Sequence, residues 1–412
     1  MIYIHIPYCG SFCTYCGFYS ETATGAGCGI NDYVEALCTE IAGRRAELSE
    51  PHERDTLYIG GGTPSVLPLS ALKRIVSALR EAGAGADYEE FTVEVNPEDI
   101  LEKGQGYAEG LLEAGVNRIS MGVQSLDDRI LGWMNRRHDA DGAAKAYRIL
   151  RDAGFRNISI DLIFGISMLE DKVWSRTLDG VLDGLGTGTP PEHISAYQLS
   201  VEPDSALASM RDRGLYEEAS DSLCEGQYAE LCSRLASAGY RHYEISNFSL
   251  PGYEARHNSG YWYHIPYTGL GPGAHSLDIG SCHPEAPSAG QDGRNVFRRS
   301  WNIADVRAYC AAAHDGDFFP VRESETLSAR QVDMERIMLA LRTDEGIEES
   351  FLRKTCAKNA LDAAIAAGTL VETHLSWHGR WLMGNGQVKS CPRLRIPEKY
   401  FFVSDNIISD IV

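Results

Sequence analysis

Between residues 91 and 96, and again in 118–124 and 157–164, apolar and polar side chains alternate. Phe91, Val93 and Val95 oppose Thr92, Glu94 and Asn96. Ile119, Met121 and Val123 oppose Ser120, Gly122 and Gln124, and Ile158, Ile160, Leu162 and Phe164 oppose Ser159, Asp161 and Ile163. Such alternation predicts strands with one apolar and one polar face. Further strand-like runs at 2–6, 56–60 and 193–199 bring the set to six, with helical patterns between them. In "NDYVEALCTEIAGRRAEL", Ile30, Tyr33, Val34, Leu37, Cys38, Ile41 and Ala42 form one stripe behind Asn31, a candidate cap. Strands alternating with helices in this way predict a parallel βα array.

The polar faces choose between two such arrays. A doubly wound sheet is covered by helices on both sides and is apolar on both. Even a closed eight-stranded barrel fills its lumen with branched aliphatics. Six strands with a polar face predict an open, partial (β/α)6 TIM-like barrel around a polar ligand, over residues 1–215. Past residue 200 the pattern changes. Residues 218–238 read as an amphipathic helix and "GYRHYEISNFSL" as an aromatic strand segment, so 216–319 is expected to extend the barrel. Residues 320–412 read as a smaller, mostly helical domain with a terminal strand pair and a winged-helix-like unit near "ERIMLALRTDEGI". "SCHPEAPSAGQDGRN" reads as a mobile loop.

At 412 residues the chain is long enough for this division. It opens on a strand pattern without a secretory n-region and has no apolar run long enough to span a bilayer, so a cytoplasmic protein is expected. The formal charge of -20 opposes nucleic-acid binding. Of eleven cysteines, Cys38, Cys224, Cys232, Cys310 and Cys356 stand alone in helix-like stretches and read as reduced thiols, with no disulfide framework.

Cys9, Cys13 and Cys16 are different, because they sit within eight residues behind the first strand. Three thiolates on one loop can hold three corners of an iron-sulfur cube and leave the fourth iron without a protein ligand. A zinc site completed by a histidine such as His5 is the alternative. "GGGTPS" at 60–65 follows the second strand, where glycines let backbone approach a ligand and N–H groups can cradle a carboxylate; a plain βα turn is the alternative. Glu94, Gln124 and Asp161 fall on inward faces near strand ends, and Arg136 follows as a candidate carboxylate partner.

C-x3-C-x2-C with Tyr15 before the last cysteine resembles the signature of the radical S-adenosylmethionine (SAM) superfamily. There, SAM chelates the open iron of a [4Fe-4S] cluster and is cleaved to a 5'-deoxyadenosyl radical. "YIHIPYCGSFCTYCGF", "LYIGGGTPSVL", "EVNPED", "GVNRISMGVQSLDD", "ISIDLIFG", "HISAYQLSVEP", "RHNSGYW" and "GLGPGAHS" narrow the resemblance to the oxygen-independent coproporphyrinogen III oxidase family. That family's SAM contacts fall on Tyr3, Tyr15, Gly61, Gly62, Thr63, Glu94, Gln124, Arg136, Asp161 and Ala196. Two departures point to its heme-chaperone branch: Phe18 stands where the oxidases have a fourth cysteine, and the chain begins almost at its first strand. "FGISMLED" departs from the Pro and Gln usual after this glycine. "RHNSGYW" matches a motif associated with heme binding in that branch. His257 would supply an axial ligand, Tyr261 and Trp262 flat apolar surface, and Arg256 a propionate partner; a packed turn with a hydrogen-bonded histidine is the alternative. His5, His242, His264 and His275 are substitute ligands. Arg298 and Arg299 read as a solvated basic spot rather than a propionate clamp.

The resemblance implies a heme chaperone with a cluster and SAM, and heme, a heme donor and apo-hemoprotein clients, including a membrane-bound respiratory enzyme, as partners. It admits a homodimer. It leaves open whether the chain is an enzyme; the enzymatic alternative is oxidative decarboxylation of coproporphyrinogen III.

Overall fold

The computed structural model describes residues 1–22, 27–50, 55–85, 87–279, 297–318, 321–373 and 392–412. The "SCHPEAPSAGQDGRN" segment lies outside them. Six parallel strands form the centre: β1 (Ile2–Ile6), β2 (Thr56–Gly61), β3 (Glu90–Val95), β4 (Arg118–Gln124), β5 (Ile158–Phe164) and β6 (His193–Gln198). Beyond β6 an antiparallel hairpin, β7 (Arg241–Glu244) and β8 (Asn247–Ser249), adds two strands, and β9 (Thr268–Leu270) lies parallel to β1. The spatial order is β9-β1-β2-β3-β4-β5-β6-β8-β7, so the sheet has two unjoined ends and the barrel is open, as the parity argument expected.

The strands curve around a polar interior because their two faces differ. Ile2, Ile4, Leu57, Ile59, Val93, Ile119, Met121, Ile158, Ile160, Leu162 and Ile194 are fully buried beneath the helices. Their alternating neighbours, Tyr58, Glu94, Ser120, Asp161 and Ser195, line a central cavity. The helices have identifiable ends: Asp139 caps Ala140–Ala153 by accepting the Gly142 N–H at 2.7 Å, and Gly154, with φ of 114°, terminates it. The first helix differs from expectation. Ile30–Gly43 starts from Gly29, and Asp32, not Asn31, supplies the side chain that accepts the Gly29 N–H at 3.2 Å.

A three-stranded antiparallel sheet of β10 (His275–Ile279), β11 (Phe297–Asn302) and β12 (Arg322–Leu327) lies beside β9. It runs across the boundary expected near residue 320, because β12 pairs with a strand of the middle region. The remainder combines helices Ala329–Ala340, Glu349–Thr355, Lys358–Ala366 and Ser404–Ile411 with three short strands, Ile347–Glu348, Arg393–Arg395 and Val371–Thr373. Cys310, expected as a solitary thiol, forms a disulfide with Cys28, 282 residues away in sequence. No local spacing shows such a pairing. No helix among the described residues is long and apolar enough to cross a membrane.

Candidate functional site

The C-terminal ends of the parallel strands open into a cavity of about 1110 Å³. Cys9, Cys13 and Cys16 lie on its wall, in the loop that leaves β1, together with Tyr15, Phe12 and Phe18. The loop is fixed by bonds to the opposite wall. Thr14 N–H donates to Met134 O at 3.1 Å, Asn135 Nδ2 to Phe12 O at 2.7 Å, and the Thr63 hydroxyl to Cys9 Sγ at 3.4 Å. Arg136 donates to Cys13 Sγ at 3.3 Å, and to Asn96 Oδ1 and Gly122 O, both at 2.7 Å. Burial raises the Cys9 thiol and pushes the Cys16 thiol up to about 11, so these two sulfurs ionise readily only with metal or cation beside them.

Among the described residues no three Cys, His, Asp or Glu side chains converge as a single metal ion requires. The three thiols share one loop and one cavity without collapsing onto a point. That donor set fits a [4Fe-4S] cluster, in which each thiolate binds a different iron.

Residues 60–63 explain their glycines through close packing. A Cβ on Gly62 would stand 2.7 Å from Tyr8 O, and one on Gly61 would meet the His5 ring at 2.5 Å; Gly61 also has φ of 109°. The expected cradle of free N–H groups is not formed. The Gly61 N–H donates to Glu94 Oε2 at 3.1 Å, that of Gly62 to Ile6 O at 2.8 Å and that of Thr63 to Tyr8 O at 2.7 Å. The glycine turn therefore joins the cysteine loop to Glu94.

Glu94 also accepts from the Tyr58 hydroxyl at 2.7 Å. Burial, aided by the charge of Asp161, pushes its carboxyl up to about 7 despite these bonds. Both Asp161 oxygens accept from the Ser120 hydroxyl at 3.1 Å. Gln124 reaches the cavity through a bulge: β4 and β5 slip register between Gly122 and Gln124, and Gln124 has φ of 66°, an uncommon conformation for a residue with a Cβ. Beneath Arg136, Arg137 pairs with Asp99 at 3.0 Å and His138 with Glu98 at 3.0 Å. Although burial opposes it, His138 and the Arg136 charge hold the Glu98 carboxyl at about 2.

Cys9, Cys13, Cys16, Tyr15, Gly61, Gly62, Thr63, Glu94, Gln124, Arg136 and Asp161 all line the cavity. Two expected contacts do not. The Tyr3 hydroxyl bonds His5 Nδ1 at 3.0 Å, and Ala196 is buried on the apolar face with its N–H donated to Ser246 O, although its neighbours Ser195 and Tyr197 do line the cavity. The expected heme residues lie elsewhere. Helix Arg256–Trp262 packs against β2 near the bottom of the barrel, where His257 is fully buried. Its Nδ1 is bonded to Thr56 Oγ1 and its Nε2 to the Tyr261 hydroxyl, each at 2.9 Å. Both ring nitrogens of His257 are thus engaged within the chain. Trp262 is half-buried and is not part of the cavity wall.

Tyr58, Asn96, Arg118, Ser195 and Asn258 line the cavity and were not singled out from the sequence. Arg118 had a readable signal, since it precedes Ser120, Gly122 and Gln124 in the same inward phase of β4.

Three cysteines at a cavity mouth above the strand ends of an open barrel match what comparison finds. The radical SAM superfamily model matches residues 3–179, which form a radical SAM domain. The structure of coproporphyrinogen III oxidase (HemN) from Escherichia coli superposes with a TM-score of 0.75 at 19% identity, over 99% of this chain and 89% of that one, which shows the shared fold. The heme chaperone HemW of Mycobacterium tuberculosis (strain H37Rv) is 31% identical over 387 residues, 94% of this chain and 91% of that one. HemW of Lactococcus lactis is 33% identical over 348 residues, 84% and 82% of the two chains. This chain belongs to the family of these HemW proteins.

Proposed function

We propose that this chain binds heme and passes it to an apo-hemoprotein, with a SAM-ligated [4Fe-4S] cluster on Cys9, Cys13 and Cys16 governing the exchange. The observation that carries this reading is the rim of the cavity. Phe12 and Phe18 on the cluster loop line the cavity together with Tyr197 and Leu199, and Phe18, where the oxidases have a cysteine, is 74% exposed. Flat apolar surface held open beside a cavity of this size suits a macrocycle as well as a nucleotide.

When bound, the cluster and SAM supply one-electron chemistry. The chain's own groups do the holding: Glu94 and Asp161 offer acceptors to ammonium and hydroxyl groups, Arg136 braces Cys13, and the Thr63 hydroxyl braces Cys9. In its finer form the client is a respiratory hemoprotein at a membrane, and the carrier is a homodimer.

Hemin-loaded protein mixed anaerobically with an apo-hemoprotein tests the reading. Transfer of the Soret band to the acceptor, dependent on the cluster, is expected. Absence of transfer, together with conversion of coproporphyrinogen to protoporphyrinogen in the presence of SAM and reductant, would replace the chaperone with an oxidase.

A further inference from the structure

Two polar side chains at the lower end of the cavity have unused hydrogen-bonding capacity. Arg118 begins β4, is only 2% exposed and lines the cavity, yet its Nε has no hydrogen-bond partner. Among the described residues its guanidinium forms no ion pair. Asn258, in the helix at the barrel bottom, lines the same cavity, and its side-chain amide makes no hydrogen bond among the described residues. Burial depresses the basicity of His257 on that helix, and the positive charge of Arg118 adds to the effect.

The nearby carboxylates hold hydrogen bonds of their own, although the Arg118 charge does act on Asp161. Glu94 is held by Tyr58 and Gly61, and Asp161 by Ser120. Glu90 accepts the backbone N–H groups of Arg256 at 2.7 Å and His257 at 3.0 Å. The Arg118 Nε–H is a buried donor left unused, and a guanidinium beside an amide presents the donors that suit a carboxylate.

We propose that Arg118 and Asn258 anchor a propionate carboxylate of the tetrapyrrole at the floor of the barrel. β4 rises about 20 Å from Arg118 to Gln124, and the arginine side chain shortens that depth. The macrocycle therefore enters edge-on, propionates first, and leaves its opposite edge against Phe12, Phe18 and Tyr197. This gives "RHNSGYW" a ligand-facing residue, Asn258, while His257 and Tyr261 fix the helix that carries it. The proposal rests on the heme reading above and adds the orientation of the ligand.

Soret titrations of the cluster-loaded protein with hemin and hemin dimethyl ester test it. The wild type should prefer the diacid by about tenfold or more. Arg118→Gln should abolish that preference and Asn258→Ala weaken it, with ester binding preserved. A folded Arg118→Gln that keeps the preference overturns the anchor, and so does a wild type that binds both forms equally, a comparison that needs no variant. A wild type that binds neither form overturns the heme reading itself. A parallel titration with SAM and decarboxylated SAM, read from the paramagnetic signal of the cluster, separates the other carboxylate available. Discrimination between these two should survive Arg118→Gln; its loss would reassign the anchor to the nucleotide and overturn the propionate assignment.

Discussion

The two ends of the barrel carry similar residue types and use them differently. At the top, Cys9, Cys13, Cys16, Glu94 and Arg136 meet at a cavity wall, and their side chains face a ligand-sized space. At the bottom, Thr56, Glu90, His193, Tyr243 and His257 are buried and bonded to one another or to backbone, as in His193 Nε2 to the Tyr243 hydroxyl at 2.7 Å. A motif that lists chemically able residues does not say whether their lone pairs are free. Packing decides that: strand ends at the top turn into loops with room between them, whereas the helix Arg256–Trp262 lies against the lower strands and consumes the hydrogen-bonding capacity of its own histidine.

The sharpest break of this contrast is Cys13→Ala, which should remove the cluster outright, read as iron and sulfide content falling to background after anaerobic reconstitution. Glu94→Gln comes next. It keeps the Tyr58 contact and removes the charge, so SAM affinity should fall by about ten- to hundredfold, read by equilibrium binding to the reconstituted protein. In the wild type the Glu94 carboxyl, raised to about 7, is ionised above that pH and protonated below it. A cationic nucleotide should therefore bind progressively more tightly from pH 6 to pH 8, and Glu94→Gln should flatten that profile.

At the lower end the expected effect moves from binding to stability. His257→Ala leaves Thr56 and Tyr261 without their buried partner and should cost about 2–4 kcal/mol, measured by denaturant unfolding, while the Soret position of bound heme stays that of the wild type. A changed ligation spectrum with unchanged stability would erase the contrast between the two ends. The smallest effect is expected at Glu244, which is buried on β7 with Oε1 unpartnered and whose carboxyl is pushed up to about 7 by burial. Because the unfolded chain ionises this group at lower pH than the folded one, stability falls as pH rises from the usual glutamate range to about 7. Glu244→Gln should raise stability at pH 8 by about 1 kcal/mol and reduce that slope.

Strand parity and the cysteine spacing were legible because each is set within a few residues: alternation along β3, β4 and β5 states which face is polar, and one loop carries all three thiols. Pairings between distant segments were not legible. The β7–β8 hairpin joins the sheet at β6, β9 pairs with β1 across more than half the chain, and Cys28 meets Cys310; none leaves a local periodic trace. The glycine turn lies on the cavity wall, but its N–H groups are taken by partners on and beyond β1 and on β3, which only appear once the strands are side by side. Arg118 shares phase with Ser120, but a charged residue at a strand start is ordinarily solvent-facing, so its inward position is not marked in the sequence by phase alone.

The central claim is that the cysteine loop holds a cubane whose remaining iron is free to take SAM. Electron paramagnetic resonance of the reduced, reconstituted protein, recorded with and without SAM, addresses it directly. A cluster signal whose g-values shift on adding SAM, and which is lost in Cys13→Ala, is the result expected. A signal indifferent to SAM, or a colourless protein holding zinc on these thiols, would contradict the claim.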